Sequence, residues 1–293
     1  MKSLLKSTLL FGMGTAMAAS SAMGAFTFTN GDLILGIQAA SGTGSDKNVF
    51  FNLGSGTYHR DNPGYNFGVA TNGNNPFGTV GQTEIGNIGA TLTLAFGSDW
   101  YSRSDLYFGV VANLNQQPNT GGFGSRQPVN GDPSRTFYLS TPTTIIGAGA
   151  LYAPNTFPAA AMGTGGTNLS GLEGFLPGLT TESDGAAVLD KTAQPVQWNN
   201  SWTAWNPTPG AAFSVFTGGI QQHFGQGTAE TYVDLQRVLA YAAGADPTGV
   251  VGGGTYETSF AIASDGSVFS IPEPSAAVLG GLGLLALLRR RRA

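Results

Sequence analysis

Three tryptophans, Trp198, Trp202 and Trp205, lie within the short stretch WNNSWTAWNP. Exposed indole rings can stack on sugar rings, and neighbouring asparagines can hydrogen-bond sugar hydroxyls, so the cluster is a candidate contact site for polysaccharide. Large amphipathic rings also anchor irregular segments in a protein core. The interpretation that we favour is this second one, in which the three tryptophans pack their segment onto a sheet.

Few residues are suited to metal or nucleophile chemistry. The chain has two histidines, His59 and His223, and no cysteine, so a zinc site would need both histidines brought together with carboxylates. It has no calcium loop of the D-x-D-x-D-G type and no G-x-S-x-G hydrolase motif. The triplet at 59–61, His-Arg-Asp, lacks the rest of the kinase signature, and residues 61–64 read as a turn. We expect no cofactor, no metal and no catalytic residue.

The acidic residues are scattered along the chain. Glycoside hydrolysis needs two carboxyl groups about 5–10 Å apart, and the sequence singles out no such pair. Between residues 26 and 271 there are seven basic and sixteen acidic residues, a net charge of −9, whereas the whole chain carries −4. A body of this charge is not suited to binding nucleic acid.

The C-terminal segment, IPEPSAAVLGGLGLLALLRRRRA, places four arginines after an uncharged run at 275–288. As a helix this run would measure about 21 Å, whereas a bilayer core is roughly 30 Å thick. We predict a short transmembrane helix, which snorkelling arginines and local bilayer thinning would help to span the membrane. Because Lys and Arg stay on the cytoplasmic side, its orientation is predicted to be set by Arg289, Arg290, Arg291 and Arg292.

The N-terminal segment has the order of a secretory signal peptide. Lys2 and Lys6 precede an apolar or small run at 9–19, and small residues continue through Gly24 and Ala25. We expect signal peptidase to cut after Gly24 or Ala25 and assign residues 1–25 to a signal helix that is absent from the mature fold.

Pro272, Glu273 and Pro274 complete a three-part pattern at the C-terminus, in which Pro-Glu-Pro precedes the apolar run and the arginine cluster. Residues 272–293 resemble the PEP-CTERM sorting signal of Gram-negative bacteria. The resemblance implies processing near this motif by an exosortase, a membrane transpeptidase-like enzyme. Phrases such as GDLILG (31–36) and YVDLQRVL (232–239) also resemble an uncharacterised exported domain found in such proteins, for which the resemblance implies no activity.

Residues 26–271 read as one exported, mostly β domain. Short apolar strands are separated by glycine-rich turns, and Asn30-Gly31 and Asp265-Gly266 predict hairpins. The alternation in TLTLAF (91–96) predicts a half-buried strand. Further strands are predicted at 48–54, 105–114, 135–141, 212–220, 231–241 and 255–271.

The predicted fold class is an antiparallel β-sandwich-like body with one or two short helices in the middle segment. That segment, at about 142–209, is rich in Ala, Gly, Thr and Pro. Ser170 is predicted to cap a helix that ends at Pro177-Gly178.

These observations predict an exported protein without catalysis of its own. It would be held at the inner membrane by its C-terminal helix, processed by signal peptidase and exosortase, and delivered to the cell surface or extracellular matrix, in a setting of biofilm and exopolysaccharide. The alternative is a secreted domain that binds or hydrolyses polysaccharide.

Overall fold

A computed structural model describes residues 24–61, 82–114, 136–153, 159–209, 211, 216, 219–224, 231–238 and 253–271. The predicted signal helix, the Pro-Glu-Pro motif, the C-terminal apolar run and the arginine cluster lie outside these residues. Within the described part of the chain, no helix is both long enough and apolar enough to cross a membrane.

The described body is mostly antiparallel β-structure, as predicted. Its strands in chain order are β1 (Asp32–Ala39), β2 (Lys47–Ser55), β3 (Thr83–Asn87), β4 (Leu106–Asn113), β5 (Phe137–Thr143), β6 (Ala187–Asp190), β7 (Gln221–His223), β8 (Tyr232–Val238), β9 (Gly254–Ile262) and β10 (Ser267–Ile271). The helices are α1 (Gly56–Asp61), α2 (Gly89–Phe96), α3 (Ala159–Phe175), α4 (Pro195–Trp198) and α5 (Trp202–Trp205).

All of these strands belong to one curled sheet, in the order β3-β10-β9-β8-β5-β4-β1-β2-β6, with β7 paired to β4. This differs from the two facing sheets of a sandwich. The sheet forks at β4, where Val111–Asn113 pairs with β5 and Tyr107–Gly109 pairs with β7. The Ser140 hydroxyl bridges the fork, because it accepts a hydrogen bond from the Val110 amide and donates one to the Ile220 carbonyl.

Alternate residues of a strand point to opposite faces of a sheet. In this sheet both faces carry buried apolar side chains. On the first face, Leu33, Leu35 and Ile37 of β1 belong to a cluster that includes Leu92 and Phe96 of α2. On the second face, strand side chains pack against side chains of α3, α5 and the 3₁₀ turn after α3. The strand members of this cluster include Ile34, Phe50, Val111, Phe137 and Leu139, and the helical members include Leu169, Leu172, Leu176 and Trp202. Double coverage explains why a single sheet can bury so much apolar surface.

The predicted strand over TLTLAF is wrong, because residues 89–96 form helix α2. A strand would place Leu92, Leu94 and Phe96 on one face, but Leu94 is 64% exposed while Leu92 and Phe96 are buried. The buried positions, Thr91, Leu92, Ala95 and Phe96, follow helical spacing. Asp184 fixes the start of the helix, because its carboxylate accepts hydrogen bonds from the Thr91 amide (2.9 Å) and hydroxyl (2.7 Å).

Three other local predictions differ from the structure. The predicted hairpin at Asn30-Gly31 is a turn into β1, and the preceding residues 26–29 form no strand. Ser170 lies inside α3, which begins at Ala159, so it caps no helix start. Residues 56–61 form α1, so the turn predicted from Asp61 begins inside a helix, and its later residues lie outside the described ranges.

Other predictions are confirmed. Strands β2, β4, β5 and β8 fall where they were predicted, and the middle segment contains short helices. The Asp265-Gly266 hairpin joins β9 to β10, with Gly266 at a φ of 90°. The predicted strand at 212–220 lies largely outside the described residues.

Candidate functional site

Trp202 of α5 is fully buried against the sheet. Its ring lies directly over Gly36 of β1, where an added Cβ atom would come within 2.1 Å of the indole. Only glycine lets the two elements approach this closely. Trp202 therefore cannot stack on a sugar from this position, which corrects its assignment as a glycan contact and agrees with the packing interpretation.

Trp198 and Trp205 are half-buried at the margin of the same cluster. The Trp205 indole N–H donates to the Asn200 carbonyl at 3.1 Å, and the Lys191 ammonium lies 5.8 Å from the centre of the Trp198 ring. The three indoles consequently do not form one exposed platform, because the middle ring is inside the core.

A buried network of polar side chains holds α5 on the sheet. The Thr203 hydroxyl accepts from the Asn48 amide group at 2.7 Å and donates to Gln38 Oε1 at 2.7 Å. Gln38 Nε2 in turn donates to the Asn206 carbonyl and to Gln221 Oε1. Buried polar groups need such partners, so this network fixes the position of the helix that carries Trp202.

Each of the two histidines contacts a different backbone carbonyl group. His59 of α1 is buried, its Nε2 lies 3.0 Å from the Leu53 carbonyl, and burial lowers its pKa. His223 Nδ1 lies 2.9 Å from the Phe224 carbonyl. Among the described residues, no group of three histidine or acidic side chains is placed to hold a metal ion.

Asp234 of β8 is a buried acid that organises the loop after β5. Its carboxylate accepts hydrogen bonds from the Ser259 hydroxyl, the Gly147 amide (3.1 Å) and the Gly149 amide (2.7 Å). Burial raises the pKa of Asp234, and these three hydrogen bonds oppose that rise. The neighbouring Gln236 accepts from the Tyr152 amide at 2.9 Å, so β8 anchors this loop at two points.

Glu173 of α3 is a second buried acid, 7% exposed. Burial raises its pKa to about 8, a hydrogen bond from the Asn113 backbone opposes the rise, and the charge of Asp32 adds to it. Asn113 also donates its side-chain amide to the Gly166 carbonyl and the Ser170 hydroxyl. Glu173 thus belongs to the contact between α3 and β4.

Arg103 uses all five of its N–H groups. It donates two hydrogen bonds to the Asp105 carboxylate and three to the backbone carbonyls of Ser41, Thr43 and Phe96, at 2.7–2.9 Å. The loop after β1, the end of α2 and the start of β4 are joined in this way. Pairing with Arg103 lowers the pKa of Asp105.

The remaining candidate is a cleft of about 610 Å³, within the usual range for ligand sites. We call it the N-terminal cleft. It is lined by Gly24, Ala25, Phe26, Thr27, Phe51, Asn52, Gly54, Thr181, Glu182, Ser183 and Gly185.

One wall of the N-terminal cleft is a short backbone pairing. Ala25 forms an isolated antiparallel bridge with Thr180, and the Phe26 amide donates to the Leu179 carbonyl at 2.9 Å. The predicted signal-peptidase residues, Gly24 and Ala25, are therefore part of this wall. Phe26 is buried and belongs to the apolar cluster on the second face of the sheet.

The opposite wall comes from β2. The Phe51 ring packs over Gly86 of β3, where an added Cβ atom would lie 2.7 Å from the ring. Asn52 is fully engaged, because it donates to the Thr27 carbonyl and the Asp32 carboxylate and accepts from the Gly54 amide. The side chains left to meet a ligand are Phe51, Thr27, Glu182 and Ser183, which are half-buried or exposed.

These four side chains supply an aromatic ring, two hydroxyl groups and one carboxylate. Hydroxylated, uncharged ligands suit such a surface. Paired-carboxylate hydrolysis requires two acids about 5–10 Å apart, and Glu182 is the acid in this lining. The described lining therefore offers one of the two acids that this reaction uses.

Sequence reasoning identified neither the cleft nor the buried acids. The cleft joins distant parts of the chain, since Gly24 and Thr181 are 157 positions apart. No motif marks Glu173 or Asp234, and their burial follows only from the packing of α3 and of the loop after β5. Comparison of the chain with protein-family models, curated proteins and solved structures gave no match.

Proposed function

We propose that this chain is an exported cell-surface or extracellular-matrix protein with no catalysis of its own, sorted through its C-terminal Pro-Glu-Pro signal by an exosortase. Two elements would position it for processing. The apolar run would halt it in the inner membrane, and the four terminal arginines would keep the tail inside. The motif would then face the outer side of that membrane.

The observation that carries this proposal is the position of the folded body between the two sorting segments. The last strand of the body, β10, ends at Ile271, the residue before Pro272. Ile271 is fully buried and pairs with Ser259. The predicted C-terminal sorting segment therefore follows the body directly, and the predicted signal segment precedes it.

The buried acids give a second line of support. Asp234 anchors a loop and Glu173 lies in a helix–strand contact, so each has a structural role within the fold. The negative charge of the body also favours solubility outside the cell.

The test follows the mass and location of the protein in a Gram-negative host that encodes an exosortase. The full chain should pass through a membrane-bound form and then appear, shortened at its C-terminus, at the surface or in the medium. A variant with Pro272, Glu273 and Pro274 all replaced by alanine keeps the apolar run and the arginines. It should remain in the membrane at its longer mass. Release of an intact arginine tail would contradict the proposal.

A second candidate function is the binding of polysaccharide, and the N-terminal cleft is the observation that favours it. The Phe51 ring would pack against a sugar, and Glu182 and Ser183 would accept and donate hydrogen bonds to its hydroxyls. Glycan-array binding by the mature protein tests this candidate. A double variant, Glu182→Ala with Ser183→Ala, should lose binding, whereas Trp198→Ala, outside the cleft, should retain it. Equal loss in both variants would reject the cleft as the site.

A further inference from the structure

Gly24 makes more hydrogen bonds to the body than Ala25 or Phe26 does. Its amide donates to the Thr181 hydroxyl at 3.3 Å, and its carbonyl accepts from the Thr181 amide at 2.8 Å and from the Thr181 hydroxyl at 2.9 Å. The next link is the Phe26 amide, which donates to the Leu179 carbonyl. The antiparallel pairing at this edge of the N-terminal cleft therefore depends mainly on Gly24.

A cut after Gly24 would remove all three of these hydrogen bonds, leaving the Thr181 amide without its carbonyl partner. A cut after Ala25 would also remove the bridge to Thr180 and place a charged terminus on Phe26, which is buried. Both cuts would open one wall of the cleft. The contacts of the folded body thus fit a mature chain that still contains Gly24.

Signal peptidase needs small residues at the first and third positions before the cut. A cut after Ala25 would place Met23 at the third position, which is not small. A cut after Gly24 uses Gly24 and Ala22, and the sequence permits it. The sequence also permits cuts after Ala22 (with Ser20), Ser21 (with Ala19), Ser20 (with Ala18) and Ala18 (with Ala16). Each cut of this second group keeps Gly24 in the mature chain.

We propose that signal peptidase cuts upstream of Met23, at one of the permitted bonds after residues 18–22, so that the mature protein keeps Gly24 and closes its N-terminal cleft with it. This inference rests on the proposed export of the chain. It moves the cleavage site upstream of the position expected from the sequence alone.

The first test is the mass of the N-terminal peptide of the protein recovered from outside the cytoplasm. A start at Met23 or at one of the permitted positions upstream of it is expected. A start at Ala25 or Phe26 would overturn the cleavage site while leaving export intact. A chain that still begins at Met1 or its neighbour would instead overturn the proposed export, so the two failures are distinguishable.

The second test measures thermal unfolding of the exported, mature protein. Thr181→Val keeps the shape of the side chain and removes the hydroxyl that contacts Gly24. If Gly24 is present, this change should lower the melting temperature by about 2–4 °C. Thr180→Val is the matched control, because Thr180 is exposed and meets the bridge through its backbone. Equal melting temperatures for Thr181→Val and the unchanged protein would overturn the inference.

Discussion

Replacing Glu173 by glutamine should change how the stability of the protein depends on pH. Glu173 is 7% exposed, and burial raises its pKa to about 8 from 4.5. In the unfolded chain the carboxyl group loses its proton near its ordinary pKa, whereas in the folded protein it keeps the proton until about pH 8. Between these two values the folded state binds more protons than the unfolded state.

The sign of the effect follows from this difference. Stability declines as pH rises wherever the folded state binds more protons, at about 1.4 kcal/mol for each pH unit. The contribution of Glu173 is therefore complete below its ordinary pKa and is lost progressively as pH rises toward its folded-state value. From pH 5 to pH 7 the loss amounts to about 2.5 kcal/mol.

Glutamine has nearly the same shape and does not ionise, so Glu173→Gln should remove this dependence. The assay is denaturant unfolding of both proteins at several pH values between 5 and 8, with the free energy extrapolated to water. The stability of the variant relative to the unchanged protein should rise by about 2.5 kcal/mol between pH 5 and pH 7. Glu182→Gln, at the cleft surface, controls for the loss of a carboxyl group elsewhere. A difference that stays constant over this range would refute the reasoning.

Three further substitutions test the contacts that hold the fold, each by denaturant unfolding. Arg103→Lys replaces a planar group that makes five hydrogen bonds by a point charge, and it should lower the free energy of unfolding by about 2–4 kcal/mol. A loss below about 0.5 kcal/mol, the size of an ordinary surface change, would contradict this role. Gly36→Ala adds a methyl group that would overlap the Trp202 ring, and it should lower the free energy of unfolding by about 1–3 kcal/mol. A neutral result would contradict the close packing of α5 on β1. Asp234→Asn keeps the side-chain shape but weakens the loop anchor, for an expected loss of about 1–3 kcal/mol; unchanged stability and unchanged hydrogen exchange at Gly149 would contradict the anchor.

Much of the β-structure could be predicted from local pattern. Strand β4 is a mostly apolar run, β8 has aromatic and β-branched residues between polar ones, and Asp265-Gly266 supplies the backbone conformation that the last hairpin needs. These features depend on neighbours in the sequence. Local pattern therefore sufficed to identify these strands and the antiparallel class.

Helix α2 shows where local pattern is insufficient. Thr91, Leu92, Ala95 and Phe96 fit helical spacing, while the alternation of Thr and Leu over the same residues fits a strand. The first turn of the helix is held by the Asp184 carboxylate, which is 93 positions away and accepts a hydrogen bond from the Thr91 amide. A contact so distant leaves no trace in the local sequence.

The candidate site was less predictable than the fold for the same reason. The tryptophan cluster was a candidate sugar contact, although packing in the core was the favoured interpretation. Gly36 allows Trp202 to enter the core, and the sequence gives no sign of that contact. The N-terminal cleft depends on the pairing of Gly24 with Thr181, two residues that no motif connects. Which side chains are buried, and which distant residues pair, can be known only from the assembled sheet.

The most direct test of the proposed export uses a reporter enzyme that is active only outside the cytoplasm. Inserted between Ile271 and Pro272 of the full chain, the reporter should be active, and the same fusion lacking residues 2–24 should be silent. Placed after Ala293 in a host without an exosortase, it should also be silent, because the arginines keep that end inside. A silent reporter before Pro272, in cells where the protein accumulates, would contradict the account.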